Sequence, residues 1–587
     1  MSFLILMLSL AAPPAQTSDQ ARFDALIRAE WEWRLEEYPE LATAVGDPRH
    51  ADRLVDLSPE AVERRKAHTA ESLKAVKTID RAKLDARARL DYDVLAFDLE
   101  TERGLARFPV ELLQVDHIYG PHTALASLAE VAPHATVKHY ENFLKRMEKT
   151  PAYLTQSTKW LEKGAAAGVT MPRMLVARVP ALVREQTPKD VKRSPVYSML
   201  FASMPGEIPA AEQARLRERA LAVIEGQLYP AYAAFADFIE KQYLPRCRTT
   251  IGMSQLPDGE AWYGARIREQ TSTSMSSADI HELGLKEVAR IRAEMEHAMQ
   301  QAKFTKGLPA FFQFLRTDKR FFYTDKEELL RGYARIAKRI DGELPRLFGK
   351  LPRLTYGVKA VPAYSEKVQT TAYYQPGSAA AGRSGTFFCN TYDLTSRPKW
   401  EMEALTAHEA VPGHHLQIAL GEEVDASEYR KHGFNNAYVE GWALYSESLG
   451  EQLGLYQDPY SKFGQLTYEM WRAIRLVVDT GMHAKGWTRE RAIQFFKDNT
   501  GKTQHDIEVE VDRYIAWPAQ ALGYKLGQLK IKALRDRAQA ALGESFDLRA
   551  FHDAVLDDGA LPLEVLDAHI DAWIETARKG RATTLRN

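Results

Sequence analysis

Eight consecutive residues, His408-Glu-Ala-Val-Pro-Gly-His-His415, hold three imidazoles and one carboxylate. Imidazole is a zinc ligand, and a carboxylate beside it can act as a general base. The octet reads as the H-E-x-x-H metal motif with Pro412-Gly413 inserted before the last histidines. In the uninterrupted motif the two histidines at i and i+4 share one helix face. Here proline occupies i+4, and His414 and His415 follow at i+6 and i+7. At about 100° per residue, i+7 returns to the face of His408 but roughly 10 Å along the axis, whereas i+6 points about 120° away. Pro412 lacks an N–H and clashes with the carbonyl of residue 408, so a kink or widened turn is expected there, with Gly413 permitting it. That distortion favours His408 and His414 as the ligand pair; His415 remains the alternative.

A third ligand is expected downstream. The run Tyr438-Val-Glu-Gly-Trp-Ala-Leu-Tyr-Ser-Glu447 carries two carboxylates on one helical face, and Glu440 lies 26 positions after His414. That span lets one helix end, turn and return antiparallel. Glu440 then completes a His2Glu set with an open fourth position, the arrangement of a catalytic Zn2+ site. Glu447 is placed to accept from the other N–H of a ligating imidazole. Tyr438, Trp442 and Tyr445 read as core.

The elements that must position these groups are helical. Apolar residues recur at helical spacing through most of 19–105, 138–165, 209–243, 278–303, 326–345, 398–422, 434–453, 461–484, 488–498 and 506–538. The metal helix is expected to start near Thr395 or Ser396 as cap, with Pro398 in its first turn and Glu401 and Glu403 near its positive end. Three short segments upstream, 357–364, 369–374 and 386–391, are rich in β-favouring residues. The expected fold is therefore mainly α, with a short β-sheet next to the metal-binding helix, whose edge strand can hold a peptide by backbone hydrogen bonds.

Composition narrows the classes. The 587 residues are 45% apolar and 27% charged, which supplies a large core, and a net charge of −1 speaks against a nucleic-acid binder. The apolar run Phe3–Ala12 followed by Pro-Pro-Ala-Gln resembles an export leader over residues 1–15, although its first residues carry no Lys or Arg; a cytoplasmic chain with a buried N-terminal helix is the alternative. No stable membrane span is expected once that segment is removed. The rest divides into an N-terminal helical lobe, 16–250, and a catalytic segment, 251–587. Cys247 and Cys389 are either one disulfide or two buried thiols.

HEAVPGHHLQ followed by YVEGWALYSE resembles a bacterial family of unknown function that is grouped with the gluzincin-type zinc metallopeptidases. The likeness extends to 256–284, 475–490 and 511–529. It implies a large helical zincin-like body and a zinc-dependent hydrolase. Glu409 is then the general base for a water activated by Zn2+, and short peptides are the substrates. In similar helical peptidases a downstream His and Tyr stabilise the oxyanion; by region, His483, Tyr514 and Tyr524 look like their equivalents, with Arg513 and Lys525 as further donors. The Pro-Gly insertion departs from those peptidases. Two other readings share the motif: an amidase acting on a non-peptide substrate, and a non-catalytic metal-stabilised binding protein. Peptidase mode and oligomeric state are left open.

Overall fold

Helices start where short polar side chains can cap them. The side chains of Ser18, Ser58, Asp85 and Thr136 accept from the N–H groups of Ala21, Ala61, Ala88 and His139. They open the helices Asp19–Glu37, Pro59–Val76, Ala86–Leu105 and Val137–Ala167. Each cap satisfies one of the N–H groups that a helix leaves orphaned. The computed structural model describes residues 18–362, 366, 370–379 and 382–584. It is mainly α, 69% helical with one three-stranded sheet. The leader-like segment 1–15 lies outside the described residues. No helix among the described residues is long and apolar enough to cross a membrane.

Two large apolar clusters hold the helices together. One joins Tyr140, Phe143, Tyr232 and Phe235 to Ile291, Phe311, Phe463, Met470 and Val478. The other joins Phe23, Ile27, Leu73 and Leu95 to Tyr333, Phe387, Leu405, Trp442, Tyr445 and Leu534. Both draw on residues from either side of position 250, so packing runs continuously across the expected lobe boundary. Cys247 and Cys389 are separate buried thiols, not a disulfide.

The sheet lies where the β-favouring residues stand. Strand β1 is Tyr356–Ala360, β2 is Ala372–Gln375 and β3 is Gly385–Cys389. Their order is β1-β3-β2, with β1 parallel and β2 antiparallel to β3. The expected strand segments 357–364 and 369–374 fall partly outside the described residues. β2 is an edge strand, and it packs beside the helix that carries His408.

That helix differs from the single element expected over 398–422. Leu394–Ser396 and Lys399–Glu401 are 3-10 turns, Pro398 caps the second, and the α-helix runs only from Met402 to Glu409. A second helix, His414–Glu422, starts after a four-residue break. His408 therefore sits in the last turn of a short helix, not three turns into a long one. The break has a local cause: the residue before a proline is pushed out of the α region, and the proline offers no N–H. The Val411–Pro412 peptide is cis.

Glu440 comes from the helix Asn436–Ser448, capped by Asn435, whose side chain accepts from the Tyr438 N–H at 3.0 Å. This helix packs against Gly523–Leu542 at very short range. A Cβ on Gly441 would strike Gly527 Cα, and one on Gly527 would strike the carbonyl of Ala437. Paired glycines thus set the approach that brings Tyr524 next to Glu440.

Candidate metal centre

The broken helix aims its two ends at one point. His408 Nε2 and His414 Nε2 each lie 3.6 Å from Glu440 Oε2. One ligand atom from each of these three residues falls within 4.8 Å of the others. Two ligands about 2.1 Å from one tetrahedral zinc are roughly 3.4 Å apart, so the spacing suits such an ion. The rings of His408 and His414 meet edge to face, with centroids 4.9 Å apart. The turn between them is pinned from the Glu440 helix, because Trp442 Nε1 donates to the Pro412 carbonyl at 2.8 Å.

Glu447 fixes the tautomer of His408. Its Oε1 is 2.8 Å from His408 Nδ1, and it is fully buried. A carboxylate can only accept, so Nδ1 keeps its proton, and Nε2 is the ring nitrogen aimed at Glu440 and the centre. The charges agree. Burial opposes a charged His408, yet Glu440 and Glu447 lift it to about 9. Burial pushes His414 down to about 4. Glu440, despite its burial, is held at about 2 by His408, His414 and the Tyr524 hydroxyl. Two carboxylates around His408 call for positive charge, and a divalent cation meets that demand with neutral imidazoles. The buried Glu440 Oε2 and His414 Nδ1 have no hydrogen-bond partner among the described residues. Donor types, spacing and the partnerless Glu440 Oε2 fit zinc. Glu447→Gln is expected to weaken metal binding about 10- to 100-fold, because the amide supports the same geometry without the charge; competition with a chromogenic chelator measures it.

Glu409 follows His408 but is not in the ligand set. Burial raises its carboxyl to about 7, with Glu440 adding to the rise and His408 and Arg472 opposing it. The backbone N–H of Tyr374, on edge strand β2, donates to it. His415, the alternative ligand, turns the other way. Its Nδ1 is 2.9 Å from the Tyr374 hydroxyl, and its ring packs on Tyr356 with centroids 4.5 Å apart.

The remaining candidates separate into near and far. Tyr524 stands in the centre through its hydrogen bond to Glu440. Arg513 is half-buried, donating to Gln520 Oε1 at 2.6 Å and pairing with Glu510 at 3.0 Å. Tyr514 is a core residue: its hydroxyl donates to Glu510 at 2.6 Å and accepts from Arg475 Nε at 2.8 Å and Trp471 Nε1 at 3.1 Å. With its valences filled, that hydroxyl has no donor for an oxyanion. His483 is likewise spent, accepting from the Met253 N–H at 3.2 Å and contacting the Tyr514 carbonyl at 3.0 Å, with no exposed surface. It is also about 16 Å along its helix from Arg472, which borders the centre. Lys525 is buried in ion pairs with Glu287 and Glu469. Three neighbours of the centre, Arg472, Arg475 and Tyr374, are absent from the candidates that motif spacing picks out. The two arginines had a signal: they stand three apart in the otherwise apolar run Met470-Trp-Arg-Ala-Ile-Arg-Leu-Val-Val478.

Fold and site together define a mainly helical protein with a small sheet laid against a buried His-His-Glu cluster. The chain belongs to the bacterial family of proteins of unknown function DUF885, whose profile matches residues 39–570. It is similar to the crystal structure of a protein from Colwellia psychrerythraea provisionally described as a lipoprotein. That match has 28% identity and a TM-score of 0.89, covering 95% of this chain and 100% of that one. A protein of unknown function from Shewanella oneidensis, also provisionally described as a lipoprotein, shares the fold at 18% identity and a TM-score of 0.70, covering 94% and 99% of the two chains. No curated protein matches the chain.

Proposed function

We propose that the protein is a zinc-dependent hydrolase of the gluzincin type that cleaves peptide bonds in short peptides. The observation that carries this reading is the convergence of His408 Nε2 and His414 Nε2 on Glu440 Oε2, with Glu409 beside the set and outside it. A zinc ion held by His408, His414 and Glu440 supplies a Lewis acid that acidifies water and polarises a carbonyl. Glu409 takes a proton from the attacking water, whose oxygen bonds to the carbonyl carbon. It returns that proton to the amine nitrogen as the C–N bond breaks, so the carboxyl ends as it began. Tyr524 is the hydroxyl nearest the centre, and it would turn from Glu440 to donate to the developing oxyanion. The edge of β2, which reaches Glu409 through Tyr374, suits an extended peptide backbone. Export is part of the proposal, supported by the apolar stretch at residues 3–12 and by the lipoprotein description of the Colwellia relative.

Purified protein is expected to carry about one zinc per chain, and His408→Ala and Glu440→Ala to lose it. Elemental analysis decides this, and unchanged zinc in both variants rejects the ligand set. Digestion of a mixed peptide library, read by mass spectrometry, tests the reaction. Intact peptides in the presence of zinc-loaded protein refute peptide hydrolysis and leave the non-peptide amidase and the binding protein.

A further inference from the structure

Three guanidinium groups gather behind Tyr524. Arg472 and Arg475 lie one turn apart on the helix Pro459–Ala484, and Arg513 comes from Gln504–Ala516. The Arg475 guanidinium sits 4.2 Å from the centroid of the Tyr524 ring, and that of Arg472 sits 5.8 Å away. The same tyrosine reaches Glu440 with its hydroxyl, so this cationic wall borders the metal centre.

Its charge is incompletely met. Arg475 and Arg513 share a single carboxylate, Glu510, at 3.0 Å from each. The nearest carboxylate to Arg472 is Glu447, at 3.7 Å, which already holds His408 Nδ1 at 2.8 Å. Three cations therefore face two carboxylates, one of them engaged elsewhere. Arg472 Nε and Arg475 Nη1 have no hydrogen-bond partner among the described residues, although these side chains are only 7% and 6% exposed. Burying a guanidinium N–H without an acceptor is costly, and the planar fork of arginine matches a carboxylate.

We infer that Arg472 and Arg475, with Arg513 at the rim, form a subsite for a substrate carboxylate, and that this group is the free C-terminus of the peptide. The inference rests on the hydrolase reading of the centre and names its mode: cleavage near the C-terminal end.

Binding tests this apart from chemistry. The full-length, zinc-loaded Glu409→Gln protein is titrated calorimetrically with an N-acetylated tetrapeptide acid, with its C-terminal amide, and with an amide that carries a glutamate side chain. The acid is expected to bind about 10-fold or more tighter than either amide, and that preference to shrink to about 3-fold or less in Arg472→Gln and Arg475→Gln. Equal affinity for acid and amide overturns the subsite, as does a preference that survives both substitutions. A glutamate-bearing amide that binds as tightly as the acid overturns the C-terminal assignment. Should the two buried variants fail to fold, Arg513→Gln at the rim gives the same reading, and the acid–amide comparison needs no arginine variant. Failure of the wild type to cut any peptide, with the acid preference intact, sinks the hydrolase reading and leaves the carboxylate subsite standing.

Discussion

Replacing Glu409 by glutamine is expected to leave zinc bound and to lower peptide hydrolysis by about 10²-fold or more. The residue stands next to the ligand His408, yet its own carboxylate is not one of the three ligand groups. In the metal-free site burial and Glu440 bring its carboxyl up to about 7, so it holds a proton more readily than an ordinary carboxylate. Glutamine keeps the size and can still accept from the Tyr374 N–H, but it cannot take a proton. Loss of rate with unchanged zinc therefore isolates proton transfer. A folded-state pKa above the ordinary carboxylate value means that the stability this group contributes is fully present below about 4.5 and is lost as pH rises through about 7. Chelated Glu409→Gln is accordingly expected to unfold at neutral pH no earlier than chelated wild type. A thermal scan separates this from a folding defect, and full activity in the variant would exclude Glu409 as the base.

Much of this centre could be read from residue types. Helix starts followed Ser, Thr, Asp and Asn caps, because one short side chain satisfies an orphan N–H locally and needs no tertiary partner. Glu440 was legible because its distance from His414 fits a helix–turn–helix return. The octet was legible in composition and not in path. An ideal-helix calculation allows for a kink at Pro412, whereas the chain stops the helix at Glu409 and starts another at His414. What holds the turn is tertiary: the Trp442 indole on the Pro412 carbonyl, a bond across 30 positions that periodicity does not show. Tyr514 and His483 illustrate the reverse error. Both lie in regions similar to catalytic ones, but the Tyr514 hydroxyl is consumed by Glu510 and Arg475, and the His483 ring by the Met253 N–H and the Tyr514 carbonyl. Residue type marks a donor; only packing tells whether the donor is free.

Gly413→Ala is expected to destabilise the protein by about 3 kcal/mol and to abolish high-affinity zinc binding. A Cβ at this position would collide with the carbonyl oxygens of His408 and Ala407, which are backbone atoms at the end of a helix and cannot turn aside. The only relief is to move the His408 helix away from His414, which separates the two imidazoles that must meet at Glu440. Fold and metal site are thus coupled through one missing methyl group. Gly421, in the helix that His414 begins, is the matched control: an added Cβ there meets nothing within 4 Å among the described residues. Gly421→Ala is expected to stabilise by about 0.5–1 kcal/mol, through reduced freedom of the unfolded chain, and to leave zinc affinity unchanged. Urea unfolding of the two variants, with and without chelator, measures both effects. Wild-type zinc affinity in Gly413→Ala would show that the turn can open without parting the ligands, and the link between the proline break and the metal centre would fail.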